Sequence, residues 1–243
     1  MKLCRDTMKC QVEFTKTGKY PAICSDYNSK SFYHNEKEMK SYMIGLAISQ
    51  FLWETHYLIY RFFSEHIKEH SHQIHSYIEI GPGHGLFLHK ALDCLNEEAR
   101  VTVVDISPVS IHIAKSIIKH FRHRQKDIKY HTIDMLQLSL EEAYDFITMG
   151  EVLEHVYYPE KLLMKLKQLM SPKGTAFIST CVNGPAIDHV YHFKAVDEIR
   201  DMIQVGGLAI EKERILPVED LPMKEIEEKK ITINYCAVLK KQE

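Results

Sequence analysis

The run Glu79-Ile80-Gly81-Pro82-Gly83-His84-Gly85 places glycines at alternate positions behind an acid. Glycine permits close backbone approach and unusual dihedrals, and a helix start after it offers free N–H groups, so a polar ligand is expected on this turn. A dinucleotide-binding turn is spaced G-x-G-x-x-G. Its third glycine would fall where Leu86 stands, which weakens a nicotinamide reading. Glu79 is expensive in an otherwise apolar strand unless it meets a partner or bound water, and a cationic ligand would help account for it. Further on, Val101-Thr102-Val103-Val104-Asp105 ends in a carboxylate placed to accept hydrogen bonds from both hydroxyls of a ribose. Asp134 and Glu151 close two more apolar runs. Four acids at consecutive strand ends point to a nucleoside more readily than to four separate helix caps. Beyond them, His189 and His192 could act as general base, because imidazole titrates near pH 7.

To hold these groups at one edge, the chain must alternate strands with helices. Short β-rich runs at 76–80, 100–105, 128–133, 144–149 and 174–181 are separated by helical stretches at 85–95, 108–123 and 159–170, and a later helix is expected at 194–204. Pro159 suits a first helical turn, where its missing N–H has no partner to lose. This order predicts an α/β domain with a parallel sheet covered by helices on both faces. The runs 208–215 and 231–239 read as strands with no helix between them, which predicts an antiparallel pair. The charge run Lys224–Lys230 reads as a solvated loop or short helix.

Residues 1–35 carry no readable period. From Glu36 to about His70, Met39, Met43, Leu46, Ala47, Phe51, Leu58, Phe62 and Ile67 recur at helical spacing, which predicts one or two amphipathic helices. The expected organisation is therefore an N-terminal helical extension over 1–70 and a ligand-binding domain over 71–243. Gln50, Glu54, His56 and Arg61 interrupt the apolar stretch 42–63 and exclude a membrane span there. Its aromatics, with Tyr33, Tyr42, Phe51, Trp53, Tyr57 and Tyr60, could form a lid over the sheet edge or simply pack in the core.

Composition sets the remaining bounds. With 243 residues, 45% hydrophobic and 26% charged, the chain is neither disordered nor fibrous. Thirty-one basic against 33 acidic residues leave a formal charge of −2 and no global field for nucleic acid or anionic lipid. The basic run Lys119–Lys126 reads as a solvated helix end, where cations suit the negative helix terminus. Six cysteines without a C-x-x-C pair and without a secretory leader fit a reducing, cytoplasmic setting. Cys4, Cys10 and Cys24 match no zinc spacing.

Over roughly residues 70–240 the chain resembles the class I S-adenosylmethionine-dependent methyltransferases. The resemblance implies a Rossmann-like, doubly wound seven-stranded sheet ending in the antiparallel hairpin. By the same resemblance, Glu79, Gly81, Gly83 and Gly85 hold the methionine moiety. Asp105, followed by Ile106, binds the ribose; Asp134 and Met135 flank the adenine; Glu151 completes the cofactor set. The run Glu151-Val152-Leu153-Glu154-His155 is similar to the E-x-x-E-H run of ubiquinone-pathway O-methyltransferases and small-RNA 2′-O-methyltransferases, where it can hold a divalent metal. In a helical turn Glu151, Glu154 and His155 would converge on one ion, with His189 as a further ligand; in other relatives the run only shapes the floor of the site. His155 joins His189 and His192 as a candidate catalytic residue. The implied function is methyl transfer to an oxygen, nitrogen or carbon of a small molecule. RNA 2′-O-methylation and non-catalytic binding of the same nucleoside are the alternatives.

Overall fold

Apolar runs four to eight residues long, buried on both sides, can only be the inner strands of a sheet that carries helices on each face. The computed structural model describes residues 2–21, 35–121, 127–139 and 141–242, and builds such a sheet. Its strands are β1 (Ser76–Ile80), β2 (Arg100–Asp105), β3 (Ile128–Thr132), β4 (Tyr144–Gly150), β5 (Met170–Val182), β6 (Leu208–Pro217) and β7 (Ile233–Lys241). The order across the sheet is β3-β2-β1-β4-β5-β7-β6. Strands β1 to β5 run parallel, and β7 runs antiparallel between β5 and β6. The expected seven-stranded fold with its terminal antiparallel pair is present.

The helices among the described residues are α1 (Lys2–Thr17), α2 (Glu36–Leu52), α3 (Glu54–His70), α4 (Leu86–Cys94), α5 (Pro108–Phe121), α6 (Pro159–Leu169), α7 (Val196–Val205) and α8 (Met223–Glu228). Alternation along each strand sorts side chains to two faces. Ile78, Ile80, Ile147, Met149 and Ile178 pack against Leu162, Leu163 and Leu166 of α6 and Ile199 and Ile203 of α7. Tyr77, Val101, Val103, Phe146 and Phe177 pack on the other side against Phe62 and Phe63 of α3, Leu88 of α4 and Ala114 of α5. Pro159 opens α6 as expected.

Three expectations needed correction. The opening stretch is regular where no period was legible: α1 buries Leu3, Cys10 and Phe14, three anchors in 16 residues otherwise rich in polar and charged groups. Strand β5 begins at Met170 because Tyr144 pairs with Met170 while Phe146 pairs with Thr175; the register shift absorbs Pro172, Lys173 and Gly174 as an irregularity within the strand. The short α8 stands between β6 and β7, where the paired strands implied no helix and the charge run allowed one. Tyr33, Cys24 and positions 122–126 of the basic run lie outside the described residues. The apolar stretch 42–63 is split at Trp53, whose extended backbone ends α2 and begins α3. No helix among the described residues is long and apolar enough to cross a membrane.

Candidate functional site

The order of strands reverses between β1 and β4, and an open α/β sheet binds ligands at the carboxyl ends of its strands beside such a reversal. There a cavity of about 1380 Å³ opens. Gly81, Gly83, Asp105, Ile106, Asp134, Met135 and Glu151 line it, as do His155 and His189. Leu3, Thr7 and Met8 of α1 and Tyr42, Met43 and Leu46 of α2 roof it.

The glycine turn is conformational necessity. Gly81, Gly83 and Gly85 have φ of 67°, 50° and 74°, in the left-handed region that disfavours other residues. A Cβ on Gly81 would lie 2.7 Å from Val152 Cγ2, and one on Gly85 would lie 3.3 Å from the Ala114 backbone. Gly85 thus serves the packing of α5 on the turn and is not among the cavity-lining residues. Nor is Glu79. Alternation sends Ile80 to the cavity and Glu79 to the opposite face, where its carboxyl accepts from Tyr77 Oη at 2.6 Å and from the Leu88 backbone N–H. Burial pushes its pKa up to about 8, so at neutral pH the group is largely a neutral carboxylic acid. Glu79 therefore supports the turn from behind, and the cationic partner expected for it is replaced by a tyrosine hydroxyl.

Asp105 sits at the mouth of β2. Its Oδ1 accepts from the Ser107 N–H at 2.7 Å and its Oδ2 from Ser110 Oγ at 2.6 Å. Removal from bulk water raises its pKa to about 6, against these hydrogen bonds, which favour the ionised form. Asp134 caps the short turn Met135–Gln137 by accepting from Leu136 N–H at 2.9 Å, and Met135 beside it is buried. Ile106, half-exposed, and Ile133 add apolar surface at the same end.

The opposite end is built from segments far apart in sequence. Glu151 has φ of 52°, so the expected helical turn from Glu151 to His155 does not form; a short 3-10 turn over Leu153–His155 follows instead. Its backbone N–H donates to Ser179, to the carbonyl and to Oγ. Glu154 is fully buried, accepts from Thr180 Oγ1 at 2.8 Å, and holds its proton well above the usual carboxyl range because it is desolvated beside Glu151. Donor atoms converge in two groups that share one histidine: Glu154, Cys181 and His189, and His155, Asp188 and His189, each within 4.8 Å. Glu151 belongs to neither, so the quartet Glu151, Glu154, His155 and His189 does not assemble as a single ligand set.

His155 Nδ1 donates to the Asp188 carbonyl at 3.0 Å and lies 3.4 Å from Asp188 Oδ2. Asp188, almost wholly buried, accepts on Oδ1 from Tyr42 Oη at 3.0 Å, a hydrogen bond from the roof to the floor of the cavity. His189 Nδ1 donates to the Gly184 carbonyl at 2.6 Å, and burial lowers its pKa to about 4. His192 is not among the cavity-lining residues. Its ring stacks on Tyr20 at 4.5 Å, meets the edge of Phe14 at 5.2 Å and bonds Asn183 Oδ1 at 2.8 Å, so it moors α1. Of the expected lid aromatics, Tyr42 and Trp53 line the cavity; Phe51 and Tyr57 are exposed and Tyr60 packs on Phe87.

Two histidines escaped the sequence reading. His84, inside the glycine turn, accepts from Leu86 N–H on Nδ1, and burial beside His56 lowers its pKa to about 4. His56, at the start of α3, bonds Ser49 Oγ at 2.9 Å. The position of His84 within G-x-G-H-G was the available signal; His56 carried none.

Comparison with known proteins agrees with this geometry. Residues 53–217 match a family described as a methyltransferase domain. The ubiquinone biosynthesis O-methyltransferase of Coxiella burnetii is 36% identical over 130 residues, 53% of each chain. This chain thus spans about half the length of the curated relatives it matches. Among solved structures, the N-methyltransferase NodS of Bradyrhizobium japonicum, in complex with S-adenosylhomocysteine, aligns with a TM-score of 0.54 at 18% identity, over 75% of this chain and 87% of that one. The 1,6-didemethyltoxoflavin-N1-methyltransferase of Burkholderia thailandensis aligns with a TM-score of 0.56 at 16% identity, over 82% and 89%. Both show the same fold. Family match, strand order and glycine turn together make this chain a member of the class I S-adenosylmethionine-dependent methyltransferases.

Proposed function

We propose that this chain transfers a methyl group from S-adenosylmethionine to an oxygen of a small, largely apolar acceptor. The observation that carries the reading is that one cavity runs from the glycine turn and Asp105 to the His155–Asp188 pair. When bound, S-adenosylmethionine supplies a methyl group on an electrophilic sulfonium. Gly81 and Gly83 let the backbone approach its amino-acid end, and the Asp105 carboxylate accepts from ribose hydroxyls. Ile106, Ile133 and Met135 offer apolar surface to the base, with Asp134 at its edge. The choice of oxygen is supported by the O-methyltransferase names of the curated relatives.

On the acceptor side His155 is the better base. With Nδ1 donating to Asp188, proton acceptance falls to Nε2, and the nearby Asp188 carboxylate stabilises the imidazolium that forms. His189 is held neutral by burial and binds protons too weakly at pH 7 for the same task. Leu46, Trp53 and Ile59 line the cavity and would bury an apolar acceptor. Fixed alignment of acceptor and donor would supply most of the rate.

A divalent cation is a second reading, favoured by the convergence of His155, Asp188 and His189 and by Asp188 Oδ2, a buried oxygen without a hydrogen-bond partner among the described residues. These three residues, with Asp188 in the place expected for Glu151 and Glu154, would hold the ion. Bound there, it would polarise an acceptor hydroxyl.

Calorimetry and a methyl-transfer assay test both readings. S-adenosylhomocysteine is expected to bind with micromolar affinity while NAD gives no heat; the reverse would overturn the cofactor assignment. Binding without turnover across a panel of phenolic, alcoholic and amine acceptors would favour a non-catalytic module. Turnover lost to a chelator and restored by magnesium or manganese would favour the cation over His155 as base.

A further inference from the structure

Four polar side chains line the cavity around the glycine turn and take no part in the chemistry at His155: Gln50 of α2, His56 of α3, His84 of the turn and Glu151 after β4. Their hydrogen bonds fix what each can offer. Ser49 Oγ gives its proton to the Leu46 carbonyl at 2.7 Å, so at 2.9 Å from His56 Nδ1 it can only accept. That bond puts the His56 proton on Nδ1 and leaves Nε2 an acceptor. His84 is the opposite tautomer: Nδ1 accepts from the Leu86 N–H at 3.1 Å, so Nε2 carries the proton and donates. Gln50 is 8% exposed, and its Oε1 has no hydrogen-bond partner among the described residues. Its Nε2, 3.5 Å from His56 Nδ1, meets another donor there, so either orientation of the amide leaves a buried end unpaired. Glu151 Oε1 is likewise buried without a partner, and its carboxylate is close enough to His56 to act on it through its charge. A buried polar atom left unpaired is costly, and two of them on one wall of a cavity point to a ligand that pairs them.

The corner offers three acceptors, Gln50 Oε1, Glu151 Oε1 and His56 Nε2, and one donor, His84 Nε2. An ammonium brings three N–H donors, and a carboxylate beside it accepts the fourth bond. We propose that this corner reads the α-amino acid group of the cofactor: Gln50, His56 and Glu151 receive the ammonium and His84 the carboxylate. The inference rests on the cofactor assigned above. Glu79 is sequestered behind the turn on Tyr77, so the negative charge that the ammonium needs comes from Glu151. Gln50 lies ahead of the family-matched residues 53–217, so the helical extension shares in cofactor recognition with the common domain.

Calorimetry with S-adenosylhomocysteine and with 5′-methylthioadenosine, the same thioether nucleoside ending in a methyl group, separates the corner from the rest of the site. Wild type is expected to bind both, the first more tightly. Gln50→Met, Glu151→Gln and His84→Asn, which keeps an acceptor for the Leu86 N–H, should each weaken S-adenosylhomocysteine by about tenfold or more, as for bonds to charged groups. Binding of 5′-methylthioadenosine should be unchanged, which also shows that the variants fold. S-adenosyl-3-thiopropylamine keeps the ammonium without the carboxylate, and should respond to Glu151→Gln but not to His84→Asn. Equal losses for both nucleosides in variants of native circular dichroism, or no loss for either, would overturn the proposal. So would variants that spare both nucleosides and raise the KM of an amine acceptor, since the acceptor's ammonium would then occupy the corner. Failure of wild type to bind either nucleoside would overturn the cofactor assignment, and this inference with it.

Discussion

The two ends of the cavity are built by different means. At the end proposed for the cofactor, Gly81, Asp105 and Asp134 stand where regular strands stop, so backbone geometry alone places them, and each lies within a few residues of the element that holds it. At the end proposed for the acceptor, Tyr42, His155, Asp188 and His189 come from a roof helix, a 3-10 turn and a loop. Side-chain hydrogen bonds across 146 and 33 positions, together with backbone bonds from Val190 and Tyr191 to the Glu154 carbonyl, bring them together. The first kind of site is carried by the fold and should tolerate changes elsewhere. The second depends on each bond that assembles it.

The sharpest way to break this contrast is His155→Ala. If His155 is the base, kcat should fall about 10²- to 10⁴-fold while S-adenosylhomocysteine binding stays unchanged. A matching loss of cofactor affinity would show that the ends are not independent. Asp105→Ala tests the other end: cofactor affinity should drop by about 1.5–3 kcal/mol, as for hydrogen bonds to a charged group. Since Asp105 titrates near 6, wild-type affinity should weaken as pH falls through that value, and the variant should lose this dependence.

Glu79 gives a stability measurement in place of an activity. Its folded pKa, about 8, lies above the ordinary 4.5, so its contribution is fully present below pH 4.5 and is lost as pH rises through 8. Glu79→Gln, which keeps an acceptor for Tyr77, should gain on wild type over that window by up to a few kcal/mol in denaturant titrations. A constant difference would mean that the carboxyl is ionised in the folded protein. Tyr42→Phe is the gentlest change. Loss of one hydrogen bond to Asp188 should weaken turnover by about tenfold or less, with the cofactor end untouched.

The same contrast explains what could be read from sequence. Strand limits were legible because β-rich runs end in acids or glycine, and β1 and β2 fall where expected. Helix α1 was not, since Leu3, Cys10 and Phe14 are too sparse to give a period before α2 and His192 are present to cover them. Nor could spacing show that Glu151 would adopt a left-handed backbone, because the Ser179 bonds that hold it belong to another strand. The adjacency of Asp188 to the candidate base His189 is legible in the sequence. The pairing of Asp188 with Tyr42 and His155 is not.

The mooring of α1 by His192, Tyr20 and Phe14 has a practical consequence. A shortened chain starting at α3 would retain the sheet, the glycine turn and the cavity-lining histidines His56, His84, His155 and His189. It would lack a ceiling. Solvent would then reach the cavity from above, so a chain begun at α3 and kept through β7 is expected to bind S-adenosylhomocysteine yet turn acceptors over poorly.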